Sequence, residues 1–166
     1  YAQNGFGLPL DFVKHTTTPD YYNEGHEGES EAEFTARCAA ELEALIIEEG
    51  PETVGALFAE PVMGAGGVII PPAGYFAAIR KVLERYDVLL VADEVICGFG
   101  RTGEMWGSQT MDVRPDMLTC AKALSSAYLP ISAVLMSDLV YDTRAGQAQS
   151  LGIVGHGDTY AAHPVC

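Results

Sequence analysis

An acid at Asp93 and an amine at Lys122 are the two residue types in this chain most able to do chemistry together. Asp93 lies in the apolar run Val88-Leu-Leu-Val-Ala-Asp-Glu-Val95, and Lys122 follows Leu118-Thr-Cys-Ala121, so each comes at the end of a strand-like stretch. In an open α/β sheet, ligands bind beyond the carboxyl ends of the strands, and two residues that end strands can face one crevice. Such a pair suits a pyridoxal phosphate site. A lysine amine can form a Schiff base with an aldehyde, and a carboxylate can keep a pyridine nitrogen protonated so that the ring draws electrons. Taken singly, each residue also reads as an ordinary structural or solvated charge, so the surrounding sequence has to decide.

The elements that must position these two residues are visible in the hydrophobic pattern. From Tyr1 to His26 the chain is rich in Gly, Pro, Asn and Thr and reads as irregular. Ser30 with Glu33 forms a capping-box signal, after which Phe34, Cys38, Leu42, Leu45 and Ile46 recur at helical steps as far as Gly50-Pro51. Residues 54–62 predict an apolar strand buried on both faces of a parallel sheet. A Gly-rich turn follows at Gly64-Ala-Gly-Gly67, and then a helix over 74–86 with Phe76, Ile79, Val82 and Leu83 on its apolar side. A strand over 88–95 completes a strand–helix–strand unit, whose parallel crossover carries Glu60 and Asp93 to the same edge of the sheet. Further strands are expected over 116–121 and 131–136.

Bulk properties exclude other classes. Of 166 residues, 48% are hydrophobic, enough for one sizeable core. A formal net charge of −14 with only nine Lys and Arg argues against nucleic-acid binding, which depends on clustered cations. Ten glutamates between Glu24 and Glu52 surround a single Arg37, the pattern of a solvated helix face. The cysteines at 38, 97, 120 and 166 form no CxxC pair, and the histidines at 15, 26, 156 and 163 have no i, i+4 spacing, so neither a disulfide framework nor a metal site is expected. With no secretory signal pattern and no apolar run long enough to span a bilayer, the expectation is a cytoplasmic protein with no membrane partner.

Several ordered blocks then carry a resemblance: Ala59-Glu-Pro-Val-Met-Gly-Ala-Gly-Gly-Val-Ile-Ile-Pro-Pro72, Leu89-Leu-Val-Ala-Asp-Glu-Val-Ile-Cys-Gly-Phe-Gly-Arg-Thr-Gly103, Arg114-Pro-Asp116, Ala121-Lys122, Leu124-Ser-Ser126 and His156-Gly-Asp-Thr-Tyr160. Together they resemble the class III pyridoxal phosphate aminotransferases, most closely the omega-amine:pyruvate branch. The resemblance implies an α/β fold of the aspartate aminotransferase type, with a mostly parallel sheet flanked by helices, and a homodimer with a shared active site. It makes Lys122 the Schiff-base lysine and proton carrier, and Asp93 the partner of the pyridinium nitrogen. Val95 would pack on a face of the ring, and Thr159 would reach the cofactor phosphate of the neighbouring subunit. Glu60 stands where the family has a glutamate near the site, and reads equally as a strand-end carboxylate.

Other residues stay open. Ser125 and Ser126 read as caps of a helix after Lys122, Trp106 as packing, Arg101 as a loop charge or an anion contact, and His156 and His163 as local structure. Ala65 stands where relatives handling gamma-aminobutyrate or ornithine carry a glutamate, while the branch that aminates pyruvate from monoamines has alanine. The family's phosphate-binding turn and its C-terminal small domain are not matched, so residues 1–166 read as the central part of the large domain, inactive by itself. The implied reaction moves an amino group from a primary amine or omega-amino acid to pyruvate or another keto acid. The alternatives are an aminomutase or decarboxylating relative on the same scaffold, or a catalytically silent fragment.

Overall fold

The computed structural model describes residues 5–153, 157 and 164. After an irregular start, Asp20 caps a single helical turn, α1 (Tyr21–Glu24), that the composition did not suggest; its carboxylate accepts from the Asn23 N–H at 3.3 Å. Helix α2 (Glu31–Glu49) begins at the expected capping box. The Ser30 hydroxyl accepts from the Glu33 N–H at 3.3 Å and the Glu33 carboxylate accepts from the Ser30 N–H at 2.9 Å, which satisfies two otherwise orphaned donors. Gly50, with φ of 89°, ends the helix in a conformation that a side chain would resist.

Four short strands form one sheet in the order β1 (Ala56–Ala59), β2 (Leu89–Asp93), β3 (Met117–Cys120) and β4 (Ala133–Met136). The first three are parallel and β4 is antiparallel to β3. Helix α3 (Tyr75–Arg85) makes the crossover from β1 to β2, and a short helix, α4 (Gly107–Thr110), lies between β2 and β3. Helix α5 (Asp138–Leu151) follows β4 and buries no residue among those described.

The core lies where α2 and α3 cover one face of the sheet. Phe34, Cys38, Leu42 and Ile46 form the buried stripe of α2, and Phe76, Ile79, Val82 and Leu83 that of α3. Both stripes meet Leu90 and Val88, with Leu57 and Ala59 packed against them. Each such side chain removed from water contributes roughly 1.5–3 kcal/mol. The Arg80 guanidinium clamps α3 to the start of β3, donating to both oxygens of Asp116 at 2.5 and 3.1 Å, while the Leu90 N–H donates to Asp116 at 2.7 Å. Burial pushes the Asp116 carboxyl up, but the Arg80 and Leu90 hydrogen bonds outweigh it and hold the group below its ordinary value.

Two expectations are corrected here. Strand β1 stops at Ala59, before Pro61, and is not buried on both faces: Phe58 is 69% exposed, because β1 is the sheet edge and the helices cover only the Leu57 and Ala59 side. The acidic segment is only partly a solvated face. Arg37 donates to Glu29, Glu41 and the Glu24 carbonyl, and Glu43 reaches across to Arg85 and, at 2.8 Å, the Tyr86 hydroxyl. Glu29 and Glu43 therefore tie α2 to its neighbours rather than facing water alone.

Candidate active site

The strand register brings the named residues to one end of the sheet. Ala59 pairs with Ala92 and Asp93 with Thr119, so Glu60 follows β1 at the level of Asp93, and Lys122 lies three residues past Thr119 on the neighbouring parallel strand. Asp93 and Lys122 thus leave adjacent strands in the same direction, at the carboxyl ends where α/β proteins bind ligands. Strand alternation places Asp93 with Val91 on the face opposite Leu90 and Ala92, away from the α2–α3 layer.

Each side chain is held by its own local chemistry. One oxygen of the half-buried Asp93 carboxylate, Oδ1, accepts from the Val95 N–H at 3.0 Å, a turn that ends the strand. Strand β2 ends at Asp93, and Val95 lies in the turn that follows, its N–H held by the Asp93 carboxylate. Glu60 accepts from the Gly64 N–H at 3.0 Å, tying its carboxylate to the turn that presents Ala65. That turn rests on the one after β2: a Cβ on Gly64 would come within 2.4 Å of the Ile96 side chain, and the Cys97 thiol donates to the Val62 carbonyl at 3.3 Å.

Lys122 opens a short 3-10 turn (Lys122–Leu124) with φ of 45°, a left-handed conformation that costs a non-glycine residue of order 1–3 kcal/mol. Such strain persists only where surrounding structure imposes it. The Lys122 side chain is exposed. No α-helix starts directly after it. Ser125 closes the 3-10 turn and donates to the Leu129 carbonyl at 2.6 Å, which corrects the capping role read for Ser125 and Ser126. Trp106 packs edge-on against Phe99 with ring centroids 5.0 Å apart, and Arg101 is exposed. Thr159, His156 and His163 lie outside the described residues.

One carboxylate escaped the sequence reading. Glu94 is fully buried, and its oxygens accept from the Gly107 and Ser108 N–H groups at 2.8 and 2.7 Å. Its only signal in the sequence is a second acid directly after Asp93 inside an apolar run. A cavity of about 710 Å³ between the 11–16 segment, α2 and β1 is mostly apolar, with Lys14 and Glu49 among its lining, and lies away from these strand tips.

The donor set fits a flat cationic heteroaromatic group with an aldehyde. Asp93 keeps a second oxygen, Oδ2, beyond the one held by Val95, and Lys122 offers a primary amine from the next strand.

The chain matches the family described as aminotransferase class-III over residues 3–166. It is 56% identical over 160 residues to gamma aminobutyrate transaminase 1, mitochondrial, of Solanum lycopersicum, covering 96% of this chain and 31% of that protein. It is 53% identical, with the same coverage, to gamma aminobutyrate transaminase 3, chloroplastic, of the same plant. Among solved structures, the omega transaminase from Pseudomonas jessenii in complex with PMP superposes with a TM-score of 0.94 at 52% identity, over 98% of this chain and 36% of that one. The α/β fold expected from the resemblance is thereby shown. The chain spans about a third of the length of the curated relatives it matches. Their names, mitochondrial and chloroplastic, overturn the expectation of a cytoplasmic protein. Composition and hydropathy of a folded domain report its solvent, not its address, which is written in separate targeting segments.

Proposed function

The chain belongs to the class III aminotransferase family, and from that premise we propose that it is the central part of the cofactor-binding large domain of a pyridoxal phosphate-dependent transaminase. The enzyme takes an amino group from a primary amine or omega-amino acid and passes it to a keto acid, pyruvate among them. The observation that carries this reading is the exit of Asp93 and Lys122 from adjacent parallel strands at the same end of the sheet.

When bound, pyridoxal phosphate supplies an aldehyde that takes up amines and a ring that withdraws electrons from the bonds around them. Lys122 would hold the cofactor through its amine and, once released, its Nζ would carry a proton between the substrate carbon that bears nitrogen and the carbon of the cofactor's aldehyde group. Asp93 would pair with the protonated ring nitrogen, its negative charge keeping that proton in place. On the resemblance, Val95 would bound the ring on one face and keep water from it. Glu60 steadies the turn that carries Ala65, so that the substrate side of the site keeps its shape. On the resemblance, Thr159 of the partner subunit would donate its hydroxyl to the phosphate, which would make the working unit a homodimer.

The gamma aminobutyrate transaminases among the relatives support an omega-amino acid as one donor. Ala65 supports pyruvate as acceptor, on the resemblance set out above. Two measurements test the reading on the full-length protein. Incubation with pyridoxal phosphate should give a visible absorbance band that is lost in Lys122→Ala, and an identical spectrum in the variant would remove Lys122 from this role. With pyruvate as sole acceptor, alanine should accumulate in step with consumption of the amine; release of carbon dioxide or an isomerised amine without alanine would point instead to the decarboxylating or mutase relatives.

A further inference from the structure

Resting on that reading, we infer that Glu94 is a positioning residue for the reaction: a buried anion that locks the Asp93–Val95 turn and sets the field in which Asp93 works. Glu94 sits between the two residues whose hydrogen bond shapes the site, and it is fastened on three sides. Its N–H donates to the Thr119 carbonyl of β3 at 2.9 Å, and its carbonyl accepts from the Gly98 N–H at 2.9 Å. Its side chain accepts from Gly107 and Ser108, at the far end of the loop that leaves β2. Both of its oxygens thus face N–H donors, the partners that a carboxylate accepts from.

The surroundings are shaped to admit that charge. A Cβ on Gly107 would lie 2.6 Å from the Cys97 Cβ, 2.9 Å from the Pro61 Cβ and 3.2 Å from Glu94 Oε2, so only glycine lets the backbone come close enough to donate. A Cβ on Gly98 would lie 2.9 Å from the Glu94 carbonyl oxygen and from the Trp106 ring. None of these groups touches the ring or the substrate in the proposed mechanism. Their common effect is to hold residues 93–95 still and to place a second negative charge, poorly screened by water, one residue from Asp93. Both effects favour cationic forms of a group bound against Asp93.

The test uses full-length holoenzyme carrying Glu94→Gln, which keeps the size but removes the charge and turns an NH₂ toward one backbone N–H. The pH midpoint at which the bound cofactor's visible absorbance changes should fall by about one unit. Turnover should fall about tenfold, with KM for the amine within about twofold of wild type. A merely structural Glu94 would lower thermal stability and leave the midpoint where it was, and that result overturns the inference. Glu31→Gln, an exposed acid on α2, serves as the control for loss of one negative charge and should leave the midpoint unmoved. If Glu94→Gln does not fold, Glu94→Asp is read in the same way: its charge is retained but withdrawn by one methylene, so the midpoint should fall by a smaller amount, and an unmoved midpoint again overturns the inference. Lys122→Ala separates the two levels of argument. A spectrum unchanged by that variant defeats the proposed function itself, whereas a normal Lys122 response with an unmoved Glu94 midpoint defeats only this inference.

Discussion

The layer where α2 and α3 cover the sheet and the strand tips that carry Asp93 and Lys122 are built on opposite principles. In the first, Phe34, Leu83 and Leu90 are at most 1% exposed and are held by apolar contact, which is non-directional and accepts many side chains of similar volume. In the second, position is fixed by directional groups: Asp93 by the Val95 N–H, Glu60 by the Gly64 N–H, Glu94 by two amides. Close backbone approaches at Gly64, Gly98 and Gly107 leave no room for a methyl group, and Lys122 is held at positive φ. Stability is concentrated in one region and strain in the other, as expected where a rigid scaffold supports a site that must be accurate.

Substitutions should separate the two regions. Lys122→Ala should lower turnover by at least about a thousandfold while changing the free energy of unfolding little, since the side chain is exposed; steady-state kinetics beside chemical denaturation reads both. Phe34→Ala should do the reverse, costing about 3–5 kcal/mol of stability with turnover per folded molecule unchanged. Comparable losses of turnover and stability in both variants would mean that the two regions are not separable.

Gly64→Ala probes the contact between the turns after β1 and β2. Its methyl group meets Ile96, so it should destabilise by about 1–3 kcal/mol and raise KM for the amine, and Ile96→Ala in the same chain should recover part of both. Asp116 tests the scaffold through pH. Its folded-state pKa is depressed, so its contribution is present above the unfolded value near about 4 and is lost as pH falls through the folded value. The acid side of the stability profile should accordingly flatten in Asp116→Asn, and a wild-type slope in that variant would remove Asp116 from the account. The smallest effect is expected at Lys122 itself: Lys122→Gly should be more stable than Lys122→Ala by about 1 kcal/mol, because glycine adopts φ of 45° without strain.

Legibility in the sequence followed the range of the interactions. Helix α2 could be read with both its caps because Ser30, Glu33 and Gly50 act within a few residues. The crossover through α3, and the arrival of Glu60, Asp93 and Lys122 at one sheet edge, could be read because apolar runs end in polar residues at those points. Glu94 could not be read as a buried clamp, since its partners Gly107 and Ser108 are donors only by virtue of where α4 begins, and backbone amides leave no trace in a sequence. The Gly64–Ile96 contact and the end of strand alternation at Asp93 were hidden for the same reason.

By itself, the order of residues determined helices α2 and α3, the strands, their order along the chain and the candidate acid and amine, because helix caps, hydrophobic periodicity and strand-end polarity are local properties. It also carried the family, through blocks of residues that recur together. Tertiary structure alone decided that β1 is an exposed edge, that β4 returns antiparallel, that Glu94 is sealed against two amides and that Lys122 is strained. Those outcomes depend on which surfaces meet when the chain closes on itself, and contacts between distant backbone groups are set by three-dimensional packing rather than by any one residue's chemistry.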